Sequence, residues 1–96
     1  MAGKGLFNKV KNRPTRRRYV VSTIRKDDHL FETAVFEANF FYLPRRWNQP
    51  DLTLSTTTPD EASALHYRLT ARLTQEFPTR LIQEYRETPP SAPLQD

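Results

Sequence analysis

From the first residue to Lys26 the chain carries nine lysines and arginines and not one aspartate or glutamate. Residues 1–26 therefore sum to +9, while residues 27–96, with six arginines against eleven acids, sum to −5. The basic character belongs to one end. Such an end attracts phosphates, anionic lipid or an acidic protein face. Lys4, Lys9, Lys11, Arg13, Arg16, Arg17 and Arg18 are the candidate polyanion-binding residues. Binding through them releases counterions and weakens steeply with salt. Nothing beside "RPTRRR" is built to read base edges, so the expected grip is poor in sequence preference. The competing reading is a solvated tail that aids solubility or docks on an acidic protein.

A second candidate is the stretch "FFYLPRRW", where rings alternate with guanidinium groups. Single-strand binders stack bases on exposed rings beside such cations. Phe40, Phe41, Arg45, Arg46 and Trp47 form this candidate interaction surface. A small core also needs large side chains, and core packing is the expected role for the rings.

The remaining chemistry-bearing residues point away from catalysis. His66 lies near the edge of an apolar helical stripe, where a hydrogen-bonded boundary histidine is expected rather than a base or ligand. His29 beside Asp27 and Asp28 reads as a polar turn, short of the three or four ligands a metal site needs. Glu32 and Glu37 fall on opposite faces of one strand, which spoils a shared acid–base site. Phosphate-loop, dinucleotide and serine-nucleophile motifs are absent. The expectation is a non-enzyme with no cofactor and no metal.

The elements that position these residues follow from pattern. Residues 1–15 read as a flexible basic arm in which Leu6, Phe7 and Val10 line at most one helical turn. Residues 16–87 read as one small domain, and residues 88–96, rich in proline, as a disordered tail. "RRYVVSTIR" and "LFETAVFEA" alternate as strands and make an antiparallel hairpin around "KDDH". "DLTLSTT" is a further strand. In "TPDEASALHYRLTARLTQEF", Thr58 is an N-cap, Pro59 the first helical residue and Glu61 the partner of a capping box. Ala62, Leu65, Leu69, Leu73 and Phe77 share the apolar stripe, flanked by Arg68 and Arg72. The spacing of Phe77, Leu81 and Tyr85 favours a second short helix. The fold class is α+β, an antiparallel sheet of about three strands on one main helix.

There is no cysteine to staple the core, and a chain this short buries only about 60–65% of its unfolded surface. Pairing with itself or with a larger partner is a natural way to add stability. No apolar run approaches the roughly 20 residues of a membrane span, and none has signal-peptide length. A cytoplasmic location is expected. A transit peptide remains open, although the basic end has no serine before Ser22.

"FETAVF" followed by "TPDEASALH" resembles a group of small uncharacterised phage and bacterial proteins. In that group an E-T-x-V-F strand precedes a Thr-led acidic helix start. The resemblance spans residues 17–72 and rests on Glu32, Thr33, Val35, Phe36, Thr58, Glu61, Ala62 and His66. It implies an α+β fold and a phage or bacterial origin, and brings no activity with it. Two functions are expected from the residues. One is a binding module whose basic arm holds nucleic acid or another polyanion. The alternative is a protein-interaction or assembly component, homo-oligomeric, with no nucleic-acid role.

Overall fold

The computed structural model describes residues 5–46 and 48–88. Four strands, β1 (Leu6–Lys11), β2 (Arg18–Asp27), β3 (Leu30–Ala38) and β4 (Leu52–Thr56), are followed by α1 (Pro59–Gln75) and α2 (Pro78–Glu87). The strands form one antiparallel sheet in the order β1-β2-β3-β4. The α+β class and the β2–β3 hairpin are as expected. The sheet has a fourth strand, and the second helix is present.

The added strand corrects the reading of the arm. Residues 6–11 are neither flexible nor a helical turn. They pair with β2 along their whole length, from Leu6 opposite Thr23 to Lys11 opposite Arg18. "LFNKVK" alternates with period two, so Leu6, Asn8 and Val10 face one side and Phe7, Lys9 and Lys11 the other. Val10 is buried in the main core. Residues 89–96 of the tail expected at 88–96, and the start of the arm at 1–4, with Lys4, lie outside the described residues.

The helices cover one face of the sheet. The inward set Tyr19, Val21, Val35, Leu52 and Leu54 packs on Leu65, Leu69 and Leu73 of α1 and on Leu81 and Tyr85 of α2. Burying each such side chain is worth about 1.5–3 kcal/mol, the main favourable term for a core this small. Thr58 caps α1 by accepting from the Glu61 N–H at 3.1 Å. The capping box is modified: the Glu61 carboxylate reaches back to the Thr57 N–H and hydroxyl, one residue beyond the cap. Phe77 departs from the expected stripe. Helix α1 ends at Gln75, so Phe77 serves as the N-cap residue of α2 and is exposed, and buried Pro78 takes the inward place.

Two devices fix the far end of α1. Arg72 bonds both carboxylate oxygens of Glu76 and of Glu84, at 2.7–2.9 Å, and so ties α1 to α2. Those bonds raise the Arg72 pKa and lower those of Glu76 and Glu84. The second device is Asn12, which is fully buried. Its amide donates to the Leu73 and Glu76 carbonyls, both at 2.6 Å. These are among the last carbonyls of α1, which the helix cannot satisfy itself. Its Oδ1 accepts from the Thr15 N–H and hydroxyl. One side chain therefore shapes the β1–β2 turn and docks it on α1.

Candidate functional site

The face of the sheet opposite the helices carries Phe7, Lys9 and Lys11 from β1, Arg18, Val20, Ser22 and Ile24 from β2, and Glu32, Ala34, Phe36 and Ala38 from β3. Val20, Phe36 and Ala38 make a small second cluster there. Lys11 stands directly opposite Arg18 in the register. Like charges placed so are destabilising in a sheet. Among the described residues, no ion pair involves Lys9, Lys11, Arg13, Arg16, Arg17 or Arg18.

Rings, not carboxylates, meet two of these cations, Lys9 and Arg18. The loop after β3 is pinned by Asn39, whose Oδ1 accepts from the Phe41 and Leu43 N–H groups. Its backbone N–H donates to the Leu43 carbonyl, and its carbonyl accepts from the Tyr42 N–H. Tyr42 has φ of 62°, the left-handed region that a bulky residue rarely enters. The Arg18 guanidinium lies 4.5 Å from the Phe40 ring centre and 5.6 Å from that of Tyr42, and Lys9 Nζ is 5.8 Å from Tyr42. These are cation–π distances. Arg18 Nε is shielded from solvent without an acceptor. Phe40 and Phe41 meet edge to face at 5.5 Å. Both remain largely in solvent, 69% and 73% exposed, with Phe7 at 53%. Core packing, the expected role for Phe40 and Phe41, is thus not what they do.

The sequence-predicted residues divide three ways. Lys9, Lys11, Arg18, Phe40 and Phe41 come together on the outer face. Arg13, Arg16 and Arg17 are exposed on the β1–β2 turn, whose backbone closes through Asn12, Arg16 and Arg17 and docks through the Arg13 N–H on the Thr74 carbonyl. A cleft of about 270 Å³ there is lined by Lys11, Asn12, Arg13 and Arg16, continuing the charged edge. Burial raises the pKa of the Tyr19 phenol, Glu37 adds to that pull, and the nearby Arg17 opposes it. Arg45 and Arg46 do not join the rings. They line a separate cleft with Glu37, Gln49, Asp51 and Arg86. There Arg45 lies 4.0 Å from Glu37, and Arg46 bonds Gln49. Trp47 lies outside the described residues.

Four residues were missed: Phe7, Asn12, Asn39 and Tyr42. The period-two alternation of "LFNKVK" is the signal that would have placed Phe7 beside Lys9. Asn39 and Tyr42 left no comparable mark.

His66 is fully buried. Its Nδ1 lies 2.8 Å from the Thr23 hydroxyl and its Nε2 2.7 Å from Asn8 Oδ1, and Thr23 lies 2.7 Å from the Thr33 hydroxyl. One tautomer satisfies the chain: Thr33 donates to Thr23, Thr23 to Nδ1, and Nε2–H to Asn8. Burial lowers the pKa of the imidazole and favours this neutral form. Both ring nitrogens are engaged, which makes the histidine a core strut joining α1, β1 and β2. Among the described residues no cluster of three His, Asp or Glu side chains stands ready for a metal, and no helix is long and apolar enough to cross a membrane.

No protein-family model, curated protein or solved structure matches the chain.

Proposed function

We propose that the protein is a non-enzymatic binding module whose outer sheet face and β1–β2 turn hold nucleic acid or another polyanion. The observation that carries this reading is the cross-strand pair Lys11–Arg18, with Lys9 alongside and, among the described residues, no carboxylate partner for any of them. A polyanion removes the repulsion that the register builds in. Support for a binding role rather than catalysis comes from His66, whose two nitrogens are committed to structural hydrogen bonds.

The test is charge neutralisation in place. Deleting residues 1–18 would remove β1 and the Asn12 dock along with the charges. Lys9→Gln/Lys11→Gln and Arg13→Gln/Arg16→Gln keep the fold and remove two charges each. Each lost phosphate contact lowers the slope of log K against log salt by about 0.7 for single strands and 0.9 for duplex. Binding to mixed DNA and RNA across a salt series should be steep for the native chain and shallower in each double variant. Absence of binding at low salt would refute the reading.

A second reading rests on exposed Phe40, Phe41 and Leu43. In it this apolar tip docks a protein partner or a second copy, and the cations contact acidic protein. It predicts an oligomer or complex that survives the charge substitutions and is lost on Phe40→Ser/Phe41→Ser.

A further inference from the structure

We infer that the ligand of the outer face is a single-stranded nucleic acid, its bases stacked on Phe40 and Phe41 and its phosphates held by Lys9, Lys11 and Arg18. The inference rests on the polyanion reading and narrows its substrate class. A purely electrostatic site for duplex or for a simple polyanion needs cations alone. Duplex bases are stacked on one another and offer rings on a protein nothing. A single strand alternates π-faces with phosphates, and each class needs its own partner. The outer face offers that alternation. Exposed Phe7 lies two residues from Lys9 on the same side of β1. Lys11 and Arg18 come next across the register, followed by Phe40 and Phe41.

The rings are also held in place. Asn39 closes the loop with side-chain and backbone hydrogen bonds. Tyr42 is turned by its left-handed backbone towards Lys9 and Arg18. Arg18 sits on Phe40 at 4.5 Å, covering one ring face with positive charge. A site fixed before binding loses less freedom when a base arrives. An apolar tip made for a protein partner has no need of a guanidinium on its central ring. Charge complementarity with a phosphate chain favours the nucleic acid.

The experiment measures anisotropy of labelled oligothymidine and oligouridine of about 12 nucleotides, within the range a small site occupies. A duplex of equal length and inorganic polyphosphate are measured beside them. The native chain and Phe40→Leu/Phe41→Leu are compared, with thermal melting to verify the fold. Leucine keeps the apolar character and removes the stacking surface. The expected result is a single-strand preference over duplex of about ten-fold or more. The leucine variant should lose that preference, by roughly five- to a hundred-fold per base stacked, with an unchanged salt slope. The DNA and RNA arms report which strand is preferred. Equal binding of single strand, duplex and polyphosphate, indifferent to the rings, would overturn the inference and leave the polyanion reading standing. Binding to none of the four probes at low salt would overturn both. A native chain that self-associates through these rings, and a leucine variant that is monomeric and binds the strand as well as before, would overturn the stacking role.

Discussion

Replacing Asn12 by alanine tests the joint on which the whole cationic edge depends. The side chain is fully buried and makes four hydrogen bonds, donating to the Leu73 and Glu76 carbonyls and accepting twice from Thr15. A typical bond contributes about 0.5–1.5 kcal/mol net, and a buried group left unpaired costs about 1–3 kcal/mol. The Leu73 carbonyl is the buried partner, whereas the site at Glu76 is part-buried and regains water. Asn12→Ala should therefore lose about 2–4 kcal/mol, a large share of the roughly 5–10 kcal/mol expected for a domain of this size. At about 4–8 °C per kcal/mol the midpoint should fall by about 8–30 °C. Urea unfolding followed by far-ultraviolet circular dichroism should show a lower midpoint with the slope preserved.

Asn12→Asp separates the two halves of the role. It keeps both acceptors for Thr15 but turns a carboxylate towards two carbonyls. That repulsion and burial raise the folded pKa above its unfolded value of about 3.9. The folded state then binds more protons than the unfolded one between those two values, so stability falls as pH rises through that window. At neutral pH the aspartate variant should be no more stable than the alanine variant, and it should recover on acidification. An aspartate variant as stable as the native protein at pH 7 would refute the argument. It would show that the turn, not the helix end, is what Asn12 holds.

Two further outcomes concern the other side chains that join the elements, His66 and Arg72. The pKa of His66 is lowered in the folded state, so its contribution to stability is constant above the unfolded value of about 6.5 and is lost as pH falls through the lower folded value. Urea midpoints between pH 7.5 and 5.5 (roughly one pH unit either side of that value) should decline on the acid side, and the decline should vanish in His66→Gln. Arg72→Met should loosen α2 from α1, seen as faster amide exchange in residues 78–87, because the ion pairs to Glu76 and Glu84 bridge the two helices. Concentrated salt should mimic part of the effect in the native chain. Both carboxylates have lowered pKa values, so this contribution is present above the ordinary carboxylate range and is lost as pH falls through the lower folded values.

What could be read from the sequence were the elements whose patterns are long or chemically marked. The β2–β3 hairpin shows alternation over two runs around an Asp-rich turn, and α1 shows a cap, a proline and a stripe of three leucines. Strand β1 carries the alternation only faintly, because its six residues are half lysine and asparagine and follow two glycines, so the charge run outweighed it. Its inward residues make sense only once Val10 meets the core and Asn8 meets His66. Asn12 was invisible for a different reason: it caps a helix end 61 residues away in the chain, and a cap supplied from another element leaves no local motif. The rings of "FFYLPRRW" were legible as a group but not as exposed or buried. That choice is made by Asn39 and by the left-handed Tyr42, which turn the loop over the outer face.

The pairing pattern within the basic run bears on whether the charge is for solubility or for a ligand. Arg25 and Lys26, at the far end of β2, have acidic neighbours: Asp28 at 3.0 Å and Glu32 at 3.7 Å. Lys9 and Arg18 have rings instead, and the register sets Lys11 and Arg18 face to face. A face selected only for solubility gains from alternating signs, because mixed charge relieves repulsion within the sheet. An acid opposite Lys11 in place of Arg18 would have provided that relief in a single substitution. Arg18→Glu is thus an informative exchange: it should stabilise the β1–β2 pairing through Lys11 while abolishing strand binding. If the exchange left binding intact, the cationic face would have no claim to be the site.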